Sequence, residues 1–371
     1  MKPTSETFKL FSVISAFALL TSAQASTAPL TDDSDLSGGA RFAPLELPMG
    51  SVLRPDSILS EPIPSLSRAE ILIQRQDHGG IQPIVGLPLS SSSFNQALIS
   101  DASGAATWEN CSAGANAKVQ VQLRNTHLTV TESSAPYSFT FTVQCGTRTV
   151  VQAEEVSTFG QALSLWTRVE SARQKLQQTV GLDFWSRNLN FIWPSSGDYY
   201  SFGTVNITRG DHWDVVLHEM GHAIYDMGKI GAFGGGSHKI DECYSPALAL
   251  SEGWASYFAG WAAINLDHPD AAFEYLVPRR APIQIENVPA DVCKGPTNEW
   301  RVTAFLWDLI DTHDDGESFD TGFETLWNAL RNTRSASAGV AVQKLRSSGV
   351  SEQVLRSIWE QNFLTSALQF E

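Results

Sequence analysis

Hydrophobic and polar positions follow different periods in different parts of the chain. Between residues 67 and 152, short segments alternate apolar and polar residues with a period of two, which is typical of half-buried strands. Clear cases are 118–123, 127–131 and 137–143, which are separated by Asn, Ser, Pro and Gly. This pattern predicts a small antiparallel β domain over 67–152, sandwich-like in architecture.

Beyond this region the hydrophobic period becomes helical. Apolar residues recur at helical spacing from Leu163 to Val180, and two short strand-like segments follow. From Trp213 onward, helical patterns dominate to the end of the chain. We therefore predict a second, mainly helical domain over 153–371, and an α+β fold class for the chain as a whole.

The first 66 residues match neither pattern. Residues 1–25 hold two lysines, an apolar run over 10–20 and a final Ala-Gln-Ala, which together are typical of a signal peptide. The apolar run is far shorter than the ~20 residues needed to span a bilayer. Residues 26–66 are rich in Pro, Ser, Asp and Gly and are predicted to be a linker or pro-segment. We expect export, either to the periplasm or to the outside of the cell.

The charge balance limits the partners. The chain has 25 Lys and Arg against 40 Asp and Glu, a formal net charge of -15. The negative electrostatic potential of such a chain repels phosphate backbones and anionic lipid head groups, so we expect no nucleic-acid partner. After the signal peptide no segment is long and apolar enough to span a membrane. The sequence does not indicate an oligomeric state.

Four cysteines in an exported chain favour disulfides, and four allow three pairings. Proximity favours Cys111 with Cys145 and Cys243 with Cys293, so that each bridge lies within one predicted domain. The chain-entropy model gives such loops roughly 3 to 4 kcal/mol of stabilisation each. A four-cysteine zinc site is the alternative, but the spacings lack a C-x2-C pair.

A His-Glu-x-x-His motif lies within the helical region. His218 and His222 are four residues apart, so on a helix both imidazoles lie on one face and can reach one zinc ion. Glu219 is turned about 100° from His218 around the axis, which places its carboxylate beside the metal rather than on it. This is the position that a general base requires.

Zinc needs a third protein ligand and an open position. A third histidine six residues after His222 is excluded, because that position is Gly228. Glu252 is the single acidic residue in an apolar helical run, where burial is costly unless the carboxylate is paired or ligated. Asp241 and Glu242 are alternatives, but they lie in a Gly- and Ser-flanked segment and need no burial. Glu252 is therefore the predicted third ligand.

These motifs resemble a known family. The His218–His222 motif, followed by Glu252-Gly253-Trp254-Ala255, is similar to the gluzincin metallopeptidases, the thermolysin-like and especially the fungalysin-like groups. Residues 298–308 resemble the helix that follows in fungalysin-like enzymes. The resemblance covers roughly 210–311 and implies a zincin-like metallopeptidase domain with one Zn²⁺, held by the two histidines and Glu252.

The resemblance also implies roles for neighbouring residues. Glu219 would be the base, and Asp226, which matches a carboxylate of the family's helix, would support the metal ligands from beside them. Ser256 stands where thermolysin-like enzymes often have an aspartate that orients the first histidine. The histidine that stabilises the transition state in those families has no counterpart upstream of Asn298. Three other residues are candidates for that role: Tyr257, Arg301 and His238.

The predicted function is that of a secreted zinc-dependent metalloendopeptidase acting on polypeptides. Zinc would lower the pKa of a bound water, and Glu219 would take its proton and pass it to the leaving amine. A Gly-x-Met-Glu-Asn motif is missing, which favours an endopeptidase over an exopeptidase. The alternative is an exported metal-binding or adhesion protein with an inactive or structural zinc site, in which the β domain is the working surface.

A second cofactor, Ca²⁺, is suggested by the acidic segment Asp311–Gly316. The EF-hand pattern fails there, because its third position is His313 and its twelfth is Gly322. A solvated acidic turn is the favoured interpretation.

Overall fold

The computed structural model describes residues 52–365, apart from 78, 94–95, 133, 233, 235 and 314–319. The predicted signal peptide, residues 26–51 of the predicted linker and residues 314–316 of the acidic segment lie outside the described residues. Asp311, at the start of that segment, is buried rather than solvated. Within the described ranges, every helix is too short or too polar to cross a lipid bilayer.

The described residues form a mixed α/β structure with several small sheets. The strands are β1 Ser57–Pro62, β2 Arg68–Asp77, β3 Gly80–Pro83, β4 Pro88–Ser90, β5 Leu98–Ile99, β6 Ala105–Glu109, β7 Asn116–Gln122, β8 Leu128–Thr131, β9 Ser138–Gln144, β10 Thr147–Glu154, β11 Leu189–Ile192, β12 Tyr199–Ser201, β13 Thr204–Asn206, β14 Ala272–Phe273 and β15 Ile283–Gln284. The helices are α1 Thr158–Thr179, α2 Trp213–Gly228, α3 Pro246–Ala263, α4 Glu299–Trp307, α5 Gly322–Leu330, α6 Ala338–Ser347 and α7 Glu352–Phe363.

The period-two segments form strands as expected. Strands β7 and β9 are antiparallel, with Val119 opposite Phe141, and buried and exposed residues alternate along both. They belong to a sheet with strand order β5-β4-β7-β9, and a second sheet has the order β1-β10-β2-β3 with β6 also on β2. One part of the prediction is wrong: β10 pairs with β2 in parallel, so the second sheet is mixed. Alternation of hydrophobicity reveals which face is buried but not the direction of pairing.

Strand β1 corrects the predicted linker. It lies within residues 26–66 and pairs antiparallel with β10 along its full length. The strand forms an edge of its sheet, and Ile58 and Leu59 are both exposed. An edge strand with exposed apolar residues lacks the alternation that reveals a half-buried strand, so composition alone suggested a linker.

The predicted boundary between residues 152 and 153 does not separate two independent cores. Strand β8, from the N-terminal side, pairs in parallel with β11, from the C-terminal side, in a sheet of order β12-β13-β11-β8. The rings of Phe139 and Phe159 also meet edge to face, 4.8 Å apart. The hydroxyl of Tyr137 donates to the carbonyl of Trp193 at 2.8 Å. The β region is therefore packed into the same hydrophobic core as the helices.

Local sequence signals define where the central helices begin. Ser245 caps α3 by accepting a hydrogen bond from the Leu248 amide, and Pro246 occupies the first turn, where its missing N–H costs nothing. Asn298 caps α4 by accepting from the Arg301 amide at 3.0 Å. Helices α2, α3 and α4 pack side by side and together surround the site described next.

Candidate metal centre

Helices α2 and α3 bring the three predicted ligands together. On α2, the imidazole rings of His218 and His222 are 4.8 Å apart between centroids and nearly perpendicular. From α3, Oε2 of Glu252 lies 3.3 Å from Nε2 of His218 and 3.0 Å from Nε2 of His222. One ligand atom from each residue lies within 4.8 Å of the other two. All three residues are at most 3% exposed.

Two glycines allow the three helices to approach this closely. A Cβ on Gly221, between the two histidines, would lie 2.8 Å from both Cα and the carbonyl oxygen of Ala255 on α3. A Cβ on Gly253, next to Glu252, would lie 2.5 Å from a methyl carbon of Val302 on α4. Glycine at these positions sets the α2–α3 and α3–α4 separations, and thereby the distance from Glu252 to the imidazoles.

The polar atoms at the centre are poorly satisfied by the protein itself. Among the described residues, Nε2 of His218 and Oε2 of Glu252 make no hydrogen bond of acceptable geometry, although they lie close to each other. Burying such groups without partners is costly. Two imidazole nitrogens and one carboxylate oxygen, converging on one point, are a donor set that suits a divalent cation.

Burial sets the protonation of these groups. It lowers the pKa of His218 to about 4, against the opposing effect of Glu252. The imidazole is therefore neutral near pH 7, which is the form that binds metals. Burial would raise the pKa of Glu252, but His222 and His238 hold it well below its usual range. The carboxylate is thus ionised, and His218 and Glu252 are both in their ligating forms.

Glu219 lies on α2 and is 1% exposed. Neither carboxylate oxygen has a hydrogen-bond partner of good geometry among the described residues. Burial raises its pKa well above the usual range, and the negative charges of Glu252 and Asp198 raise it further, while the backbone amide of Tyr200 opposes them. A buried carboxylate with a raised pKa is suited to taking up and releasing a proton.

The two residues predicted to support the ligands have different partners. Oγ of Ser256 lies 3.0 Å from Nδ1 of His218, so it is placed to orient that imidazole. Asp226 instead accepts a hydrogen bond from the Tyr200 hydroxyl at 2.6 Å and forms an ion pair with Arg187. It therefore joins α2 to β12 and makes no hydrogen bond to His222, whose Nδ1 has no partner among the described residues.

Of the three candidates for a transition-state donor, two have other contacts. The ring of Tyr257 is fully buried and stacks on Phe323 in an aromatic cluster. Arg301 donates to three backbone carbonyls, those of Val292, Cys293 and Asn362, and so ties α4 to its neighbours. His238 does reach the centre: its Nε2 lies 3.7 Å from Oε1 of Glu252.

Glu299 is a residue of the site that the sequence pattern did not single out. Its Oε2 lies 2.7 Å from Nδ1 of His238, and burial raises its pKa against the lowering effect of that imidazole. The residue was part of the 298–308 segment, but an acidic residue in the first turn of a helix is common because it complements the helix dipole. Its burial distinguishes it from such a residue, since it is only 7% exposed, and burial follows from packing rather than from the local sequence.

Both predicted cysteine pairs lie at disulfide distance. Cys111 and Cys145 have Cα atoms 5.9 Å apart, and those of Cys243 and Cys293 are 5.6 Å apart. The second bridge fastens the segment between α2 and α3 to the segment that precedes α4. Neighbouring Asp241 forms ion pairs with Arg279 and Arg280 rather than with the centre.

Comparison with known proteins gives one match. Residues 164–348 match the family model described as the Mycolysin C-terminal domain. No curated protein matches the chain. The matched range is slightly less than half of the chain and contains α2, α3 and α4, and therefore the three converging side chains, Glu219 and Glu299. The match supports a protease family for this part of the chain, while the finer resemblance to fungalysin-like enzymes stays a prediction.

Proposed function

We propose that this protein is a secreted zinc-dependent endopeptidase. The observation that supports it most directly is the convergence of His218, His222 and Glu252 within 4.8 Å of one another, with Glu219 buried on the same helix as the histidines. The family match adds independent support, because Mycolysin C-terminal domains occur in secreted metalloproteases. The proposal assigns a zincin-like fold to the helical part of the chain.

The donor set fits zinc better than the hard cations. Zn²⁺ binds imidazole nitrogen and carboxylate oxygen, whereas Mg²⁺ and Ca²⁺ prefer oxygen ligands throughout. Two histidines and one glutamate would hold the ion and leave one position open. When bound there, zinc supplies Lewis acidity, which polarises a substrate carbonyl and makes a water more acidic. Glu252 contributes the single negative charge of the ligand set.

Glu219 performs the proton transfers in this account. Its carboxylate accepts a proton from the water that attacks the carbonyl carbon of the peptide bond. The same proton then passes from Glu219 to the amide nitrogen, the C–N bond breaks, and the products are a carboxylic acid and an amine. The raised pKa of Glu219 suits this second step, because a protonated carboxyl group must persist long enough to be the donor.

Zinc analysis and proteolysis of the mature protein test this proposal together. We expect one zinc per chain, cleavage of casein, loss of cleavage after treatment with a chelator, and recovery when zinc is added back. Bound zinc without cleavage of casein or of a mixed peptide library would contradict the peptidase assignment. That outcome would instead favour an exported metal-binding or adhesion protein with a structural zinc site.

A further inference from the structure

His238 lies in the segment between α2 and α3, against the candidate centre. Its side chain is 2% exposed. The ring faces two buried carboxylates: Nδ1 is 2.7 Å from Oε2 of Glu299, and Nε2 is 3.7 Å from Oε1 of Glu252. The two oxygens of Glu252 therefore face different groups, since Oε2 faces the imidazoles of His218 and His222.

We propose that Glu299 and His238 form a buried carboxylate–imidazole pair that positions Glu252 as a metal ligand. The pair acts on Oε1 of Glu252 and leaves Oε2 directed at the two ligand histidines. This inference rests on the proposed function, because it takes Glu252 as the third ligand. His238 and Glu299 are positioning residues here, and neither is assigned a contact with substrate.

The chemistry of the three groups supports this assignment. Two carboxylates on opposite sides of one imidazole repel each other unless a proton-bearing group lies between them. The 2.7 Å contact of Nδ1 with Glu299 leaves Nε2 as the ring nitrogen that faces Glu252. At 3.7 Å the Nε2–Oε1 contact is longer than a hydrogen bond and is an electrostatic attraction. In a buried site such an attraction is weakly screened and favours one orientation of the Glu252 carboxylate.

The segment that carries His238 is anchored by several contacts. The side-chain amide of Asn298 donates to the carbonyls of Ile240 and Glu242, each at 2.8 Å. The Cys293 amide donates to the carbonyl of Asp241 at 2.9 Å, next to the disulfide that Cys293 forms. Asn298 also caps α4, so one side chain fixes both the His238 segment and the first residue of α4, Glu299.

These anchors hold the pair in place before any metal binds. Preorganised groups around the ligands of a metal site typically change metal affinity by 10- to 100-fold when they are removed. Substitution of a buried histidine that only packed in the core would instead lower the free energy of unfolding and leave the metal affinity unchanged. Metal affinity therefore separates a positioning role from a structural one.

The test measures zinc affinity by competition with a chromophoric chelator, without any peptide substrate. Glu299→Gln keeps the size of the side chain but removes its charge, and His238→Asn removes the ring. We expect each single variant to raise the zinc Kd by 10- to 100-fold. The zinc Kd of the double variant should be about the same as that of the single variant that binds zinc more weakly, because the two residues act as a unit. Cobalt-substituted protein should also show a shifted visible absorption spectrum in both single variants.

Two exposed residues provide matched controls: His268→Asn and Glu360→Gln should keep the wild-type Kd. A zinc Kd within twofold of wild type for Glu299→Gln, with an unchanged cobalt spectrum, would overturn the inference. Glu299→Gln alone decides the question if His238→Asn does not fold. Failure of the proposed function has a different signature: tight zinc binding by the wild-type protein without cleavage of polypeptides contradicts the peptidase assignment and leaves this inference standing.

Discussion

Ser256 Oγ lies 3.0 Å from Nδ1 of His218, one turn of α3 beyond Glu252. The hydroxyl and the carboxylate, from the same helix, thus act on opposite nitrogens of one imidazole. We expect Ser256→Ala to raise the zinc Kd by about tenfold, because the ring loses the partner that fixes its orientation. Chelator competition measures the effect. An unchanged Kd would show that helix packing alone orients His218.

Gly221 allows α2 to lie against α3. We expect Gly221→Ala to lower the free energy of unfolding by about 1 to 3 kcal/mol despite the better helix propensity of alanine, because the new methyl group would meet backbone atoms that cannot move aside. Separation of the helices should also weaken zinc binding. Urea denaturation and chelator competition measure the two effects.

Gly260→Ala provides a matched control on α3. Its Cβ would lie 3.0 Å from a ring carbon of Trp307 and 3.1 Å from a terminal carbon of Ile285, and such side-chain atoms can shift. We expect a smaller loss of stability and an unchanged zinc Kd. Equal effects from the two substitutions would contradict a specific role for Gly221.

The two disulfides should differ in their effect on the candidate centre. The Cys243–Cys293 bridge closes a loop of 50 residues, and the other bridge one of 34. The chain-entropy model assigns each about 4 kcal/mol of stabilisation. Replacing either pair by serine should therefore cost similar stability in urea denaturation. Zinc affinity should fall only for the Cys243/Cys293 variant, because that bridge anchors the segment carrying His238, and an equal fall for both variants would contradict this.

The ion pair of Asp241 predicts a dependence of stability on pH. Hydrogen bonds from Arg279, with the charge of Arg280 adding, lower the pKa of Asp241 from 3.8 to about 2. Its contribution is therefore complete above pH 3.8 and is lost as the pH falls toward 2. We expect Asp241→Asn to cost about 1 kcal/mol at pH 6 and progressively less below pH 4.

Urea denaturation at a series of pH values measures this difference. Asp267→Asn, at an exposed position in the loop after α3, is the matched control and should change the free energy of unfolding at pH 6 by less than about 0.5 kcal/mol. A cost for Asp241→Asn that stays constant from pH 6 to pH 2.5 would contradict the assignment of the ion pair.

Local patterns predicted much of the fold and most of the candidate site. The spacing of His218 and His222 requires only a helix, and the apolar residues around them predicted that helix. A single acidic residue in an apolar run identified Glu252, because burial of an unpaired carboxylate is unfavourable. Strands β7 and β9 followed from their alternation, and both disulfides followed from proximity along the chain.

Features that depend on distant parts of the chain were missed. The parallel pairing of β8 with β11 joins residues about 60 positions apart, and no local period encodes it. In the sequence, Glu299 is an acidic residue in the first turn of a helix, which is common. Its contact with His238 arises only from the packing of α4 against the segment between α2 and α3. Asp226 likewise has partners that the helix pattern does not reveal, since Arg187 lies in the segment before β11 and Tyr200 lies in β12.

The central claim, that Glu219 is the proton-transferring group of a zinc peptidase, is tested most directly by Glu219→Gln. The substitution keeps the size of the side chain and removes the group that accepts the proton. We expect the variant to bind one zinc per chain and to cleave casein about 100- to 10,000-fold more slowly than the wild type. Glu360→Gln, at an exposed position, should keep full activity. Equal rates of casein cleavage by the wild type and Glu219→Gln, both loaded with zinc, would contradict the account.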